Sequence, residues 1–190
     1  MRVIGGEFRS RRLKSIAGDA TRPTPDRLRE TLFDILAARV DGAIFLDAYA
    51  GTGAVGIEAL SRGAARAIFL ERNRAAVAAI WENLASLNVQ GRATVVQGPV
   101  LTNLTKHSAA IVFLDPPYTL EREYAAALEL LGENPPDLVI VQHSIRLALA
   151  ETAGALHRSR IVRQGDNALS FYAASPAGAD PQRENPSGRL

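Results

Sequence analysis

Asp115, Pro116, Pro117 and Tyr118 follow directly on the apolar run Ala109-Ala110-Ile111-Val112-Phe113-Leu114. Such a run reads as a strand buried on both faces, and open α/β sheets gather their ligands just beyond the carboxyl ends of these strands. Neither proline has a backbone N–H and both have φ fixed, so the strand is expected to stop there with its carbonyls left as free acceptors. A carboxylate, two rigid carbonyls and an aromatic face suit a planar base that carries an exocyclic amine. The oxygens accept the two amine N–H bonds while the tyrosine stacks on the ring. The chemistry implied is that of an amine held as a nucleophile. A strand-ending turn without a ligand is the plain alternative, because paired prolines often punctuate apolar runs.

A second constellation is Gly51-Thr52-Gly53-Ala54-Val55-Gly56, a G-x-G-x-x-G run placed after a strand and before a helix, with Glu71 twenty positions after Gly51. Glycines there let the backbone approach a ligand, the helix amino terminus favours an anionic group, and the acid can bind ribose hydroxyls. These features alone do not choose the nucleotide. Asp47-Ala48-Tyr49-Ala50 shifts the balance. An acid ends the strand and an insert separates it from Gly51, whereas a pyrophosphate loop runs almost directly from strand into glycine. Asp47 would accept hydrogen bonds from an ammonium and repel a pyrophosphate. A cofactor with an aminocarboxypropyl arm, a ribose and an adenine fits better than a dinucleotide.

The elements that must hold these residues alternate. Strands are expected at 43–46, 67–70, 93–96, 111–114 and 138–141, separated by helices at 54–62, around Val77, Ile80, Trp81, Leu84 and Leu87, at 101–104 and at 122–131. A further helix, with Leu28, Leu32, Phe33, Ile35 and Leu36 at helical spacing, runs to about Arg39, and a weak one is expected near 147–152. This alternation predicts an α/β fold with a doubly wound, mostly parallel sheet and right-handed crossovers. Segments 159–163 and 169–173, joined through Gly165-Asp166-Asn167, predict a closing antiparallel hairpin. Trp81 falls at helical spacing with its apolar neighbours and is expected in the core. Residues 1–20 form an expected arm or hairpin of the same domain, 21–174 the main domain, and 175–190 a disordered tail.

Composition narrows the function classes. The 190 residues are 47% hydrophobic, enough for one substantial core. Zero cysteines exclude disulfides and thiolate sites, and His107, His143 and His157 lack ligand spacing, so no metal is expected. Apolar stretches fall short of a membrane span, and the amino terminus has no signal-peptide core, so a cytoplasmic location is expected. The net charge is only +2, but Arg2, Arg9, Arg11, Arg12 and Lys14 oppose a single Glu7 in the first fifteen residues. That segment reads as a nucleic-acid contact, with a solvated basic hairpin as the alternative.

Together these motifs resemble the RsmD family of ribosomal RNA methyltransferases. The resemblance is carried by Asp47 to Gly53, by Asp115 to Tyr118, and by the leader Arg22-Pro23-Thr24-Pro25-Asp26-Arg27-Leu28-Arg29-Glu30. Arg2-Val3-Ile4-Gly5-Gly6 and Gly56-Ile57-Glu58-Ala59-Leu60-Ser61-Arg62-Gly63 also match, and the likeness covers roughly residues 2–173. It implies a Rossmann-like class I fold and methyl transfer from S-adenosylmethionine to N2 of one guanine in small-subunit (16S) ribosomal RNA, free or within a subunit. Asp47, Tyr49, Gly51 and Gly53 would then line the methionine arm, Glu71 the ribose, and Gln97 with Gly98 the adenine. Asp115, Pro116, Pro117 and Tyr118 would hold the base, with the basic arm on RNA. Two departures stand out: Pro99 replaces an aspartate or asparagine beside the adenine, and Gln142 replaces a glutamate. The competing functions are a DNA adenine-N6 methyltransferase, a nicotinamide-dependent oxidoreductase and a non-catalytic RNA-binding module. The first lacks room for a DNA-reading domain, the second gives Asp115 to Tyr118 no role, and the third leaves the cofactor crevice unexplained.

Overall fold

The computed structural model describes residues 1–15 and 26–174. The first four residues of the leader, 22–25, the expected arm boundary at 20 and the expected tail at 175–190 lie outside the described residues. Eight strands form one sheet: β1 (Ile44–Ala48), β2 (Arg66–Glu71), β3 (Ala93–Gln97), β4 (Ile111–Leu114), β5 (Leu138–Ser144), β6 (Thr152–Ala153), β7 (Leu156–Gln164) and β8 (Asn167–Ala174). Their spatial order is β3-β2-β1-β4-β5-β8-β7-β6. The first five are parallel and β5 pairs antiparallel with β8. The expected architecture, a doubly wound sheet closed by an antiparallel hairpin, is the one observed.

Each strand alternates its side chains between two packed layers. Leu46, Leu70, Val112, Leu114, Val139 and Val141 face α4 (Val100–Asn103) and α5 (Glu121–Glu133). Phe45, Ile111, Phe113 and Ile140 face α1 (Asp26–Val40), whose buried Leu28, Leu32, Phe33 and Leu36 recur at intervals of about one turn. Phe69 packs against α2 (Ala54–Ser61) and α3 (Arg74–Ser86). The side chain of Asn73 accepts the N–H groups of Ala75 and Ala76, which sets where α3 begins.

Parallel register then determines where the loops emerge. Ala48 is level with Leu70 and Leu114, and Glu71 with Gln97. β2 lies on one side of β1 and β4 on the other, so the chain's winding reverses at β1 and opens a crevice above its carboxyl end.

Two expectations are corrected. Residues 147–152 form no helix: Arg158 Nη1 and the Tyr172 hydroxyl donate to the carbonyls of Leu149 and Ala150, and Thr152 begins β6. Donors distant in sequence thus replace the N–H groups that a helix would have used. Trp81 is 42% exposed rather than core. The buried face of α3 is Ala76, Ala79, Ile80, Asn83 and Leu84, and Trp81 lies about 100° round the helix from Ile80.

Candidate active site

β1 ends in Asp47 and Ala48, and the turn that follows needs unusual backbone angles. Tyr49, Gly51 and Gly53 all have positive φ, at 64°, 54° and 78°. Only Tyr49 carries a steric cost for this, since glycine has no Cβ. A Cβ at Gly51 would meet nothing within 4 Å, so the loop leaves open space where a ligand can lie against the backbone.

The acids beneath this loop are held by backbone donors. Glu71, 8% exposed, accepts the Gly51 N–H at 2.8 Å on one oxygen and the Asn73 N–H at 2.7 Å on the other. Asp47, 2% exposed, accepts the Gly56 N–H at 2.8 Å in the first turn of α2. Burial raises the Asp47 pKa well above 3.8, the Gly56 hydrogen bond opposes the rise, and the charges of Asp115 and Glu71 add to it. The Tyr49 hydroxyl is buried near the Glu123 carboxylate, and no well-aligned hydrogen bond from another described residue reaches it. Burial raises its pKa, and the neighbouring Glu123 carboxylate adds to the rise. At the end of β3, Gly98 donates to the Glu71 carbonyl at 3.0 Å and has φ 153°. Gln97 is exposed beside it.

Asp115 remains joined to β1 through its N–H to the Ala48 carbonyl at 3.4 Å, which places it on the β1–β4 side of the crevice. The prolines' carbonyls are not free, contrary to expectation. Pro116 accepts the Tyr124 hydroxyl at 2.7 Å, and Pro117 accepts the Leu120 N–H at 2.8 Å. A carbonyl has two lone pairs, so Pro116 retains one for a further donor while Tyr124 fixes its direction. Tyr118 is 46% exposed and its hydroxyl donates to Asn167 Oδ1 at the start of β8. The aromatic face expected to stack on a base is thus restrained at its far end and open to solvent.

The basic arm divides. Its hairpin is made by Val3 N–H to Arg11 O, Ser10 N–H to Val3 O and Leu13 N–H to Met1 O, and it packs Val3, Phe8 and Leu13 into the core beside α2 and α3. Arg11 donates to the Ser86 carbonyl, Lys14 pairs with Glu82, and Arg2 lies 3.9 Å from Asp26. Arg9 and Arg12 are exposed and have no side-chain hydrogen bond or ion pair among the described residues. Of the five predicted RNA-binding cations, these two alone are without such a partner among the described residues.

Three residues that support the site had no role assigned from the sequence. Glu58, fully buried, accepts the N–H groups of Ile4 and Gly5 at 2.8 Å each and pairs with Arg62 at 2.9 Å, which fastens the arm to α2. The arm comes so close there that a Cβ on Gly6 would lie 1.9 Å from the Ser61 carbonyl oxygen. Asn83 accepts the Lys14 N–H and donates to the Thr52 carbonyl, linking the arm to the glycine loop. Tyr124, in the first turn of α5, orients the Pro116 carbonyl. Glu58 and Asn83 had one detectable signal, a polar residue on the apolar face of a helix, which has to find partners when buried.

Among the described residues no group of His, Cys, Asp or Glu side chains is placed to hold a metal ion, and no helix is long and apolar enough to cross a membrane.

Comparison with known proteins agrees with this geometry. The family described as Conserved hypothetical protein 95 matches residues 1–173. Ribosomal RNA small subunit methyltransferase D of Escherichia coli K12 is 38% identical over 171 residues, covering 86% of this chain and 86% of the relative. YlbH of Bacillus subtilis strain 168, named provisionally as an rRNA methyltransferase, is 36% identical over 183 residues, covering 90% of this chain and 98% of the relative. Among solved structures, a hypothetical protein of Thermus thermophilus superposes with a TM-score of 0.76 at 32% identity, covering 90% of this chain and 98% of the other. With the glycine loop, the acid at the end of β2 and the tetrapeptide after β4 all in one crevice, the chain belongs to the RsmD family of ribosomal RNA methyltransferases.

Proposed function

We propose that this protein transfers a methyl group from S-adenosylmethionine to the exocyclic N2 of a guanine in small-subunit ribosomal RNA, using one domain over residues 21–174 with residues 1–20 as its RNA-facing arm. The observation that carries the reading is the convergence of Asp47, Glu71 and Asp115 on one crevice, close enough that the last two raise the pKa of the first. A cluster of carboxylates suits a ligand with an ammonium and a sulfonium and disfavours a pyrophosphate. The open space over Gly51 also fits a bound small molecule. Asp47 and Tyr49 would hold the methionine arm, Glu71 the ribose through its remaining lone pairs, and Gln97 and Gly98 the adenine.

When bound, the cofactor supplies a methyl group already activated on a sulfonium. What the protein must add is orientation and charge stabilisation. The guanine, flipped out of its helix, stacks on Tyr118 while Asp115 and the Pro116 carbonyl accept its N2 hydrogens and hold the lone pair in line. Asp115 and the Pro116 carbonyl would stabilise the positive charge that the nitrogen gains on receiving the methyl group more than they stabilise the neutral amine, while the cofactor would keep the electron pair of its C–S bond. The extra proton leaves to Asp115 or water. No covalent link to the protein is needed.

Mass mapping of modified nucleosides in ribosomal RNA tests this. A deletion strain should lack one N2-methylguanosine, restored by the wild-type gene. Loss of an N6-methyladenosine in DNA instead would favour the competing adenine reading. Calorimetric titration should show binding of S-adenosylhomocysteine and none of NAD.

A further inference from the structure

Beside Tyr118, on the side of the tetrapeptide towards β5, is a cavity of about 220 Å³ lined by Tyr118, Glu121, Tyr124, Ser144, Arg146 and Leu147. Two of these residues carry opposite charges. Glu121 is the first residue of α5, and Arg146 lies in a turn held by the Leu147 N–H on the Ser144 carbonyl and the Ile145 N–H on the Asp166 carbonyl. Neither side chain makes a hydrogen bond or ion pair with any described residue, although both line the same small space. A carboxylate at the start of a helix is favourable by itself, so Glu121 has an ordinary role available. That role does not explain why Arg146, whose guanidinium has no partner among the described residues, lines the same cavity, nor why both stand next to the proposed stacking ring.

We propose that this cavity is the base-selecting subsite, in which Glu121 accepts the N1–H of guanine and Arg146 donates to its O6. This inference rests on the guanine reading above. Along its Watson–Crick edge, guanine presents two donors, the 2-amine and N1–H, followed by the O6 acceptor. Asp115 with the Pro116 carbonyl, Glu121 and Arg146 offer the complementary sequence of acceptor, acceptor and donor. Adenine, held by its N6 amine in the same group, would turn an unprotonated N1 towards Glu121 and would offer no oxygen to Arg146. Two lone pairs would then face each other and the guanidinium would go unpaired, which is the kind of mismatch that produces strong rejection. Glu121 and Arg146 are therefore specificity-determining residues, distinct from the group that holds the reacting amine.

The test uses the full-length protein. First, the nucleoside product and its position are mapped in RNA methylated by the wild-type protein. A product other than N2-methylguanosine would overturn the guanine reading itself. With the position known, RNA is synthesised with guanine or 2-aminopurine there. The analogue keeps the 2-amine but has an unprotonated N1 and no O6. The wild-type protein should favour guanine by ~10²-fold or more in kcat/KM, and both Glu121→Gln and Arg146→Met should lower that ratio at least ~10-fold. Glu121→Gln should lose the most, because its amide can donate to the analogue's N1. Affinity for S-adenosylhomocysteine and melting temperature should not change. A general loss of activity that leaves the guanine to 2-aminopurine ratio at its wild-type value in both variants would overturn the proposal and leave Glu121 as a helix-terminal charge.

Discussion

The two flanks of the crevice are built differently. On the flank proposed for the cofactor, Asp47 and Glu71 are buried and each is tied to backbone N–H groups, of Gly56 for the first and of Gly51 and Asn73 for the second. On the flank proposed for the base, Tyr118 is nearly half exposed and restrained through its hydroxyl by a side chain of another element, while Glu121 and Arg146 are exposed. The N–H groups of Gly56 and Asn73 belong to the starts of α2 and α3 and cannot move without disturbing those helices, so the first flank is rigid before any ligand arrives. Side-chain tethers can rearrange at small cost. A small cofactor of fixed structure suits the rigid flank, and a large RNA that must distort on entry suits the adjustable one.

The largest effects should come from the rigid flank. Glu71→Ala removes the charged acceptor of the Gly51 and Asn73 N–H groups, each bond worth up to about 1.5–3 kcal/mol. Thermal melting should register a marked fall, and calorimetry a loss of cofactor affinity. Retained stability would mean that the flank is not pre-organised as described. Asp115→Ala crosses to the other side: turnover should fall ~10²-fold or more with cofactor affinity intact, as for removal of one preorganised polar group. A near-normal single-turnover rate would reduce Asp115 to a turn residue.

Tyr118 sharpens the contrast. Tyr118→Ala should weaken productive RNA binding by about 1–3 kcal/mol through lost stacking, whereas Tyr118→Phe keeps the ring and loses the hydroxyl with its tether to Asn167, for roughly 1 kcal/mol. Equal losses in the two variants would show that the hydroxyl, and not the ring, is what matters.

Asp47 links the rigid flank to pH. Its folded pKa lies above 3.8, so between 3.8 and the raised value the folded protein binds more protons than the unfolded chain, and stability falls as pH rises through that window. A cationic ligand prefers the carboxylate, so its binding should release a proton and tighten as pH rises there. Titration in buffers of different ionisation enthalpy should detect the proton in the wild-type protein and none in Asp47→Asn. Proton uptake on binding would contradict the assignment of the ammonium to Asp47.

The smallest effect concerns the arm. Arg9→Ala with Arg12→Ala should flatten the salt dependence of RNA binding by ~0.7 per lost phosphate contact if the bound RNA is single-stranded. Arg11→Ala should act mainly through stability, because Arg11 donates to the Ser86 carbonyl. An equal change of salt slope in both proteins would mean that this pairing does not hold Arg11 away from RNA.

Much of this molecule was legible in one dimension. The apolar strands, the alternating helices and the hairpin signal at Gly165-Asp166 follow from local periodicity, and the motif residues Asp47, Gly51, Glu71 and Asp115 all end at the same edge because parallel strands share a direction. The failures have a common origin. Trp81 and the absent helix at 147–152 depend on which face of an element finds a neighbour and on which distant donors reach its carbonyls.

The same division holds within the site. Residue types and their spacing specified that an acid, a glycine loop and the tetrapeptide at Asp115–Tyr118 would lie at the carboxyl ends of parallel strands, because strand direction follows from the chain's alternating pattern, whereas the order that sets β1 between β2 and β4 belongs to the tertiary structure. They could not specify that Tyr124 would take one lone pair of Pro116, that Glu58 and Asn83 would fasten the arm, or that Arg11 and Lys14 would be occupied while Arg9 and Arg12 were not. Those pairings join residues separated by 8 to 75 positions, and hydrogen bonds of a few ångströms form only after the packing of whole elements has brought their ends together.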